Sequence, residues 1–355
     1  MTGAVAAAPV LSVIVPAWEC ADQLQRCLAG LEASDLSRAD WECIVVDDGS
    51  RDRTPDIAEA HADRVLRVAG GPRGPGHARN RGAELARGDV LVFVDADVVV
   101  ARDTLRRFVE LFAADSSLTA AFGAYDAHPA DPGLVSQYRN LLHRWVHLQH
   151  AGEVDTFWAG CGAVRREAFL AVGGFDAARY PRPQVEDIEL GYRLRDHGAR
   201  ILLVPAIEAT HLKRWTLRRM LRTDLLDRAA PWMRLLLARR AALAHGTLNL
   251  APTEKLLTVT AAITMASVPA ALVTGDVRWH LVWGAGLLVL LGGSARFLAW
   301  LSAQRGPWFA LRCVPLRVLF YACSALGAAW AVLTPNRQAA SGASRDTGTS
   351  SSSAK

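Results

Sequence analysis

The chain has 355 residues, of which 51% are hydrophobic, and a formal net charge of +5. This length exceeds one ordinary domain, and the hydrophobic fraction with a positive mean hydropathy of +0.13 is high for a purely soluble protein. The six cysteines form no Cys-x-x-Cys pair, which fits a reduced cytosolic environment and argues against a zinc site. We also expect no signal peptide, because the first apolar run, Val10–Val15, is short and follows no basic segment.

Short apolar runs alternate with helical patterns from the N-terminus onward. This βαβ rhythm predicts a parallel sheet covered by helices. Predicted strands are Leu11–Val15, Cys43–Val46, Arg64–Val68 and Val90–Val94, and predicted helices are Asp22–Leu31, Pro55–Ala62 and His77–Ala86. A Gly- and Pro-rich segment, Gly70–Gly76, precedes the third helix. It lacks the Lys and the Ser or Thr of a P-loop and the last glycine of a dinucleotide fingerprint, so neither site is predicted.

Asp95 and Asp97 follow the apolar strand Val90–Val94 directly. A buried strand of this kind delivers both carboxylates to the crevice where open α/β sheets bind their ligands. Two carboxylates at this position can share one hard cation, which in turn can neutralise a diphosphate. For an isolated Asp-x-Asp, the alternative is a pair of solvated loop acids.

The next part of the chain, from about residue 118 to 210, is less regular. It contains the glycine-containing segment Phe157–Ala163, a predicted helix at Arg165–Val172, the turn Gly173–Asp176 and an acidic helix start at Val185–Glu189. A basic stretch from Lys213 to Arg240 follows, with nine Lys or Arg residues against two Asp residues. Its Trp and Leu residues predict an amphipathic helix on anionic lipid rather than a nucleic-acid arm, so no nucleic-acid partner is expected.

Three apolar segments near the C-terminus are long enough to cross a bilayer. They are Leu256–Thr274, Trp279–Leu301 and Val318–Asn336, and the second contains His280 and Arg296. We therefore expect two or three transmembrane helices. The resulting organisation is a tail at 1–9, an α/β domain at 10–212, an interfacial region at 213–250, transmembrane helices at 251–336 and a disordered tail at 337–355.

A set of motifs in a fixed order resembles glycosyltransferase family 2 over about residues 10 to 212. The motifs are Val13–Ala17, Val46–Ser50, Ala78–Gly82, Asp95-Ala96-Asp97, Gly173–Asp176 and Glu186-Asp187. The resemblance implies a GT-A fold, which is α/β and Rossmann-like with a mostly parallel sheet. It also implies a UDP- or GDP-sugar donor, a divalent cation (Mg²⁺ or Mn²⁺) and usually inverting transfer to a hydroxyl or phosphate.

The resemblance implies donor-binding roles for residues at the strand ends. Pro16 and Ala17 contact the base through the backbone, and Trp18-Glu19 replaces the family's common Tyr-Asn, with Glu19 retained as a donor-side candidate. Asp47 or Asp48 accepts hydrogen bonds from the base, Arg79 meets the nucleotide or its diphosphate, and Asp95 approaches ribose or metal. For the Asp47-Asp48 pair, an Asx turn satisfied by local N–H groups is the alternative.

The same resemblance suggests metal ligands and a general base. Asp97 is the main candidate ligand, with Asp95 and His211 as further ones. Asp187 is the candidate base that deprotonates the acceptor hydroxyl, and the neighbouring Glu186 orients it or the acceptor. If the acceptor is a lipid phosphate, the nucleophile is already ionised and Asp187 mainly positions it.

Acceptor candidates are Gly160, Cys161, Gly162, Arg214 and Trp215. The first three permit close backbone approach, although a tight hairpin explains the glycines equally well. His211–Trp215 is similar to the Gln-x-x-Arg-Trp signature of processive polysaccharide synthases, with His in place of Gln. This departure, together with the small number of membrane spans, favours an enzyme that transfers one sugar.

The sequence therefore predicts a multi-pass cell-membrane glycosyltransferase with a cytoplasmic catalytic domain. Its expected partners are a nucleotide sugar, a lipid-linked or glycolipid acceptor, and membrane lipid. The rival hypotheses are a processive synthase-like enzyme and a nucleotide-sugar-binding membrane protein without catalysis. A transporter is disfavoured, because the spans are few and carry little charge besides Arg296.

Overall fold

The computed structural model describes residues 9–239 and 251–334. The tails predicted at 1–9 and 337–355, apart from residue 9, and the end of the interfacial region lie outside the described residues. The described strands form one sheet: β1 (Leu11–Ala17), β2 (Trp41–Asp47), β3 (Arg64–Arg67), β4 (Val90–Val94), β5 (Val98–Val100), β6 (Leu118–Tyr125), β7 (Gly152–Glu153), β8 (Cys161–Arg165) and β9 (Arg200–His211).

Helices cover the sheet and continue beyond it. The helices of the catalytic domain are α1 (Ala21–Glu32), α2 (Thr54–His61), α3 (Pro75–Leu85), α4 (Thr104–Ala114), α5 (Leu134–Gln149), α6 (Arg166–Ala171) and α7 (Glu186–Asp196). Then come α8 (Leu217–Arg222), a π-helix (Thr223–Ala229), α9 (Ala230–Ala238), α10 (Pro252–Thr274), α11 (Arg278–Arg305) and α12 (Pro307–Leu333).

The sheet is mixed rather than mostly parallel. Its strand order is β3-β2-β1-β4-β8-β6-β9-β5, with β7 attached to β9. The first four strands are parallel, as predicted. Strand β8 then runs antiparallel to both β4 and β6, and β5 runs antiparallel to β9. The carboxyl ends of β1, β2 and β4 therefore lie at one edge, where Ala17 pairs with Asp47 and Asp95 follows β4.

The sheet buries both faces, which is why its central strands are continuous apolar runs. In β1, Val13 and Val15 pack on one face against α1 and α4, whereas Ile14 packs on the other face. The second face includes a cluster of aromatic rings around Phe93 and Phe169, whose centroids are 5.3 Å apart. These two cores hold the polar edge of the sheet in a fixed position.

Three C-terminal helices, α10 to α12, are long and apolar enough to cross a membrane by length and composition, which suggests membrane association. The third begins at Pro307, well before the predicted Val318. Gly306 has φ +87° and ends α11, and Pro307 is suited to the first turn of the next helix. The sequence prediction missed this start because Arg312 and Arg317 interrupt the apolar pattern.

The basic region that was predicted to face lipid lies between the catalytic domain and α12. Met220 and Leu235 are buried, and Asp224 in the π-helix forms an ion pair of 2.6 Å with the buried Arg139 of α5. Arg218 and Arg219 are exposed. One side of this region thus binds protein, while a basic side remains free to contact anionic surfaces.

Candidate functional site

A cavity of about 1130 Å³ opens at the carboxyl ends of β1, β2 and β4. It brings together most of the residues that the sequence predicts: Pro16, Ala17, Asp48, Arg79, Asp95, Asp97, Glu186, Asp187, His211 and Trp215. The remaining candidates, Glu19, Asp47, Gly160, Cys161, Gly162 and Arg214, are outside its lining. The predicted constellation is therefore largely assembled around one space.

Asp97 and His211 meet because β5 pairs with β9. In this antiparallel pairing Val98 is opposite His211, which places Nε2 of His211 3.5 Å from Oδ2 of Asp97. Burial raises the pKa of Asp97, but the hydrogen bond and charge of His211, with the charge of Lys213, outweigh this effect and lower it to about 2. Asp97 is therefore an anion at neutral pH.

The tautomer of His211 is fixed by Asn140. The Asn140 amide nitrogen donates to the Ser136 carbonyl at 2.9 Å, so its oxygen accepts from Nδ1–H of His211 at 2.6 Å. With a proton on Nε2, His211 donates to Asp97, which is the contact that lowers the pKa of Asp97; in the neutral ring, Nε2 is a lone-pair acceptor that faces the carboxylate. Two acceptor atoms 3.5 Å apart, Nε2 of His211 and Oδ2 of Asp97, can share a cation or a proton between them. This donor set fits a divalent cation, although no three His, Cys, Asp or Glu side chains gather as a metal cluster within residues 9–239 and 251–334.

Arg79 links two carboxylates from different parts of the chain. It extends from α3 and is almost fully buried. Its Nη2 donates to Oδ1 of Asp95 at 2.6 Å, and its Nη1 donates to Oε1 of Glu186 at 3.2 Å. Burial opposes the charge of Arg79, but the charges of Asp95 and Glu186 raise its pKa. Glu186 thus contacts Arg79, and its other oxygen accepts from the Gln184 N–H at 2.8 Å.

Asp187 lies in the first turn of α7 and lines the cavity. Its oxygens accept from the N–H of Ile188 at 2.8 Å and from the N–H of Ala159 at 3.4 Å. Burial and the adjacent Glu186 charge raise the pKa of Asp187 to about 7, against the opposing effect of Arg79. A carboxyl group with such a pKa can both take up and release a proton near neutral pH.

The two acids at the end of β2 differ in position. Asp47 is fully buried and accepts from the Ser50 N–H at 3.1 Å and from Arg67 at 3.2 Å. Asp48 lines the cavity and accepts from the Gly74 N–H at 2.7 Å and from the Arg73 N–H. Asp48 therefore ties the glycine-rich loop to the sheet edge, and it is the member of the pair that a ligand in the cavity can reach.

The glycines near Cys161 have a structural role in the sheet. Cys161 pairs with Val94 across β8 and β4, and the Gly160 carbonyl accepts from the Asp95 N–H at 3.2 Å. A Cβ on Gly162 would lie 2.3 Å from the Trp158 carbonyl oxygen, so only glycine fits there. These residues hold the backbone of Asp95 in place from behind the cavity.

Several residues of the site were not predicted. Asn140 orients His211, and Arg139, Asp224 and Arg228 line the cavity from α5 and the π-helix. The sequence signal for Asp224 and Arg228 was weak, because a basic amphipathic segment looks the same whether its charges face lipid or a cavity. A π-helix is frequently found at functional sites, but its presence is not visible in the sequence.

The cavity continues from the carboxylates to the C-terminal helices. Its far end is lined by Trp232, Met233 and Leu236 of α9, by Thr258, Val259 and Ala262 of α10, and by Ala328, Ala329, Val332 and Leu333 of α12. Glu254 and Lys255 at the start of α10 also line the cavity, but the other side chains at this end are predominantly apolar. One space thus joins a polar, charged end to an apolar end at the predicted membrane helices.

Comparison with known proteins finds a family model that matches the first part of the domain that carries this site. Residues 12–173 match the family model described as Glycosyl transferase family 2. Validoxylamine A glucosyltransferase of Streptomyces hygroscopicus subsp. jinggangensis is 30% identical over 236 residues, which is 56% of this chain and 54% of that protein. Glycosyltransferase AglE of Haloferax volcanii is 32% identical over 105 residues, covering 28% of this chain and 34% of AglE.

The chain spans about half the length of the validoxylamine A glucosyltransferases that it matches. Among solved structures, the mannosyltransferase PcManGT from Pyrobaculum calidifontis, in complex with GDP-Man and Mn²⁺, has a TM-score of 0.55 at 20% identity. That likeness covers 91% of this chain and 88% of PcManGT.

S. aureus TarS 1–349 in complex with UDP-GlcNAc has a TM-score of 0.51 at 16% identity, covering 90% of this chain and 91% of that one. These two likenesses show that the fold is GT-A. The segment at residues 12–173 therefore matches glycosyltransferase family 2.

Proposed function

We propose that the protein transfers a sugar from a nucleotide sugar to a lipid-linked acceptor at the membrane surface. The observation that carries this proposal is the continuity of the cavity from Asp97 and Asp187 to the apolar helices α10 and α12. A soluble acceptor would not need an apolar extension of its binding site into the predicted membrane region. A lipid acceptor needs one, because its tail stays in an apolar environment.

The polar end of the cavity is proposed to bind a UDP- or GDP-sugar. GDP-Man and UDP-GlcNAc are bound by the two solved structures of similar fold, and the strand-end carboxylates and Arg79 occupy the crevice where α/β sheets bind ligands. Asp48 is the candidate for contacts with the base. Arg79 is held between Asp95 and Glu186, so its guanidinium is oriented before the donor arrives.

Asp97 and His211 are the residues proposed to hold Mg²⁺ or Mn²⁺. Asp95, two residues before Asp97, is the third candidate ligand. Such a cation, when bound, offsets the negative charge that develops on the diphosphate leaving group. Asn140 keeps Nε2 of His211 available for it by accepting the Nδ1–H. The PcManGT structure, of similar fold, was solved with Mn²⁺.

Asp187 is proposed as the general base for an inverting transfer. Its carboxylate takes the proton of the acceptor hydroxyl while that oxygen attacks the anomeric carbon and the diphosphate leaves. The raised pKa of Asp187 suits this task, because a base with a pKa near the working pH accepts protons efficiently. Glu186 supports the reaction indirectly by orienting Arg79.

The catalytic domain is proposed to face the cytoplasm. Arg218, Arg219 and Arg222 are exposed on the segment that precedes the first membrane helix, and such residues concentrate on the cytoplasmic side. The six cysteines are free, as expected in a reducing compartment.

The test is a turnover assay with the full chain in membranes. Labelled UDP- and GDP-sugars are supplied with Mn²⁺ and a membrane lipid extract, and the product is partitioned between organic solvent and water. Label in the organic phase that is strongly reduced with Asp97→Ala supports the proposal. Label in a long water-soluble polymer would instead support a processive synthase. Thermal stabilisation by a donor without any turnover would support a binding protein without catalysis.

A further inference from the structure

We propose that α12 lies in the plane of the membrane surface and does not cross the bilayer, so that α10 and α11 are the only spans among the described helices. By length and composition α12 resembles the other two. The proposal depends on the membrane attachment that the proposed function includes, but not on sugar transfer. The surface that α12 contacts in this proposal is the boundary between lipid headgroups and acyl chains.

Both ends of α12 are held on the catalytic domain. Just before it, Arg305 donates to the Ala127 carbonyl and, at 3.3 Å, to the side chain of Gln137. Just after it, Thr334 accepts from Arg234 of α9 at 3.0 Å. A helix of 27 residues is roughly 40 Å long and exceeds the bilayer core of about 30 Å. A spanning helix places its ends on opposite faces, whereas these ends lie on one domain.

The helix α9 is itself fixed to the catalytic domain. Leu235 and Leu236 pack in one buried cluster with Tyr180, Val185 and Tyr192, beside the start of α7. The C-terminal end of α12 is therefore close to the element that carries Asp187. This position lies on the same side as the active site.

Contacts along α12 indicate the same orientation, along the surface of the catalytic domain. Near its start, Cys313 and Leu316 pack with Met220 of α8. Further along, a Cβ on Gly327 would lie 2.4 Å from the Cβ of Ala229, so the two backbones are in close contact. The helix α12 thus runs parallel to the continuous helical segment 217–238.

That companion segment is unsuited to cross a bilayer. It carries Arg218, Arg219, Arg222, Asp224, Asp227, Arg228 and Arg234, and charged residues at the centre of a span are costly. Its acids form ion pairs with the catalytic domain, Asp224 with Arg139 at 2.6 Å and Asp227 with Arg182 at 3.2 Å. A helix that runs beside this segment shares its orientation, which is along the domain surface.

The helices α10 and α11 behave differently. They pack on each other and are joined by a short turn at Gly275, around which Leu272, Val273 and Leu281 are highly exposed. The α12 helix packs on the half of this hairpin that is nearer to the catalytic domain, where Arg317 pairs with Glu254 at 3.2 Å and Tyr321 packs with Leu257 and Leu290. It also contacts α9. Only the hairpin extends away from the catalytic domain.

The outer face of α12 fits the interfacial region of a membrane. Trp308 and Trp330 are exposed near its two ends, with Leu311 and Leu326 between them and Arg312 on the same side. Tryptophan is enriched where acyl chains meet headgroups, and an amphipathic helix in that plane buries its apolar side chains in the boundary.

The experiment compares three single cysteines in a full-length background whose native cysteines are shown not to react. They are Trp308→Cys at the start of α12, Val277→Cys in the hairpin turn and Leu333→Cys at the end of α12; these positions are 68%, 68% and 80% exposed. Each is treated with a membrane-impermeant maleimide before and after permeabilisation of the cells. We expect Leu333→Cys to follow Trp308→Cys, and Val277→Cys to show the opposite pattern.

A labelling pattern of Leu333→Cys that matches that of Val277→Cys would overturn the proposal, as would identical labelling of all three cysteines. If Leu333→Cys reacts under neither condition, a reporter fused after Lys355 that fluoresces only in the cytosol decides. A reporter on the same side as Trp308 supports the in-plane helix, and one on the side of Val277 refutes it. Neither readout requires turnover, so a failed transferase assay leaves this test intact, and the reverse also holds.

Discussion

The two ends of the cavity are built in different ways. At the polar end, charged side chains from separate strands are paired with one another, as in Asp97 with His211 and Arg79 with Asp95. At the membrane end, the lining is formed mainly by small or apolar side chains such as Val259 and Ala328 on packed helices. Charged groups therefore have fixed positions at the polar end, whereas the membrane end distinguishes ligands mainly by their shape.

This difference separates chemistry from acceptor selection. Strand ends on a close-packed sheet hold side chains in fixed positions, which a reaction centre needs. The free energy of apolar contact is non-directional and roughly proportional to the area buried. A groove lined by helices therefore binds lipid tails with affinities that change gradually with the area they bury. We therefore expect substitutions at the polar end to have large effects on rate and those at the membrane end to have small effects on acceptor affinity.

The largest effect is expected for Asp97→Ala. Loss of this carboxylate removes the anionic partner of His211 at the proposed cation site, so turnover should fall by about 10³-fold or more, and Mn²⁺ should no longer strengthen donor binding. Donor titrations with and without Mn²⁺ measure the second effect. Asp22→Ala, at a highly exposed surface acid, is the control. Unchanged metal dependence in Asp97→Ala would remove this residue from the site.

Asp187→Asn should lower turnover by about 10²-fold while donor affinity stays nearly constant. The amide retains the shape of the side chain but cannot accept the acceptor's proton. Single-turnover rates and donor binding are measured separately, with Glu167→Gln on the exposed face of α6 as the control. A parallel loss of donor binding would contradict the assignment as general base. A small effect on rate would favour an acceptor that is already ionised.

The polar end could be predicted from the sequence more fully than the membrane end. Asp48, Asp95 and Asp97 each follow an apolar run, and the carboxyl ends of parallel strands meet at one edge whatever the details of packing. The pairing of β5 with β9, which brings His211 to Asp97, depends on an antiparallel register between distant segments. Local patterns do not encode such a register, and Asn140 was missed for the same reason.

The membrane end depends on helix packing, which hydropathy does not describe. The sequence predicted apolar segments but placed the start of the third at Val318 rather than Pro307, because Arg312 and Arg317 interrupt it. Arg317 is buried against Glu254, so its charge is satisfied inside the bundle. Arg228 likewise lines the cavity, although it belongs to a basic amphipathic segment that was expected to lie on anionic lipid.

A moderate effect is expected for Asn140→Ala. This change removes the acceptor for Nδ1–H of His211 and frees the ring to change tautomer, so metal affinity should fall roughly 10- to 100-fold. Mn²⁺-dependent donor binding measures it. Asn140→Asp retains the acceptor oxygen and should recover most of the affinity. Gln149→Ala, which changes an exposed amide at the end of α5, is the control. Equal affinity in Asn140→Ala and wild type would show that His211 needs no such partner.

A pH profile tests Asp187 without mutation. A general base works when deprotonated, and the pKa of Asp187 is raised to about 7 by burial and Glu186. Single-turnover rates should therefore rise with pH up to about 7, changing about tenfold per unit on the acid side, and then level off. The acid limb should disappear in Asp187→Asn. A wild-type profile that is flat between pH 5 and 7 would contradict the role as base.

The smallest effect is expected for Ala328→Trp, which places a large ring in the membrane end of the cavity. Ala328 lines the cavity, whereas Leu326 on the same helix is exposed on the outer face. The added ring competes for the volume that a lipid tail would occupy, so the acceptor KM should rise several-fold while donor binding stays unchanged. Leu326→Trp should change neither constant. An increase in KM that is equal for short-tailed and long-tailed acceptors would mean that the tail does not reach α12. A rise that grows with tail length would place the tail beside Ala328 and would separate acceptor selection at this end from the chemistry at Asp187.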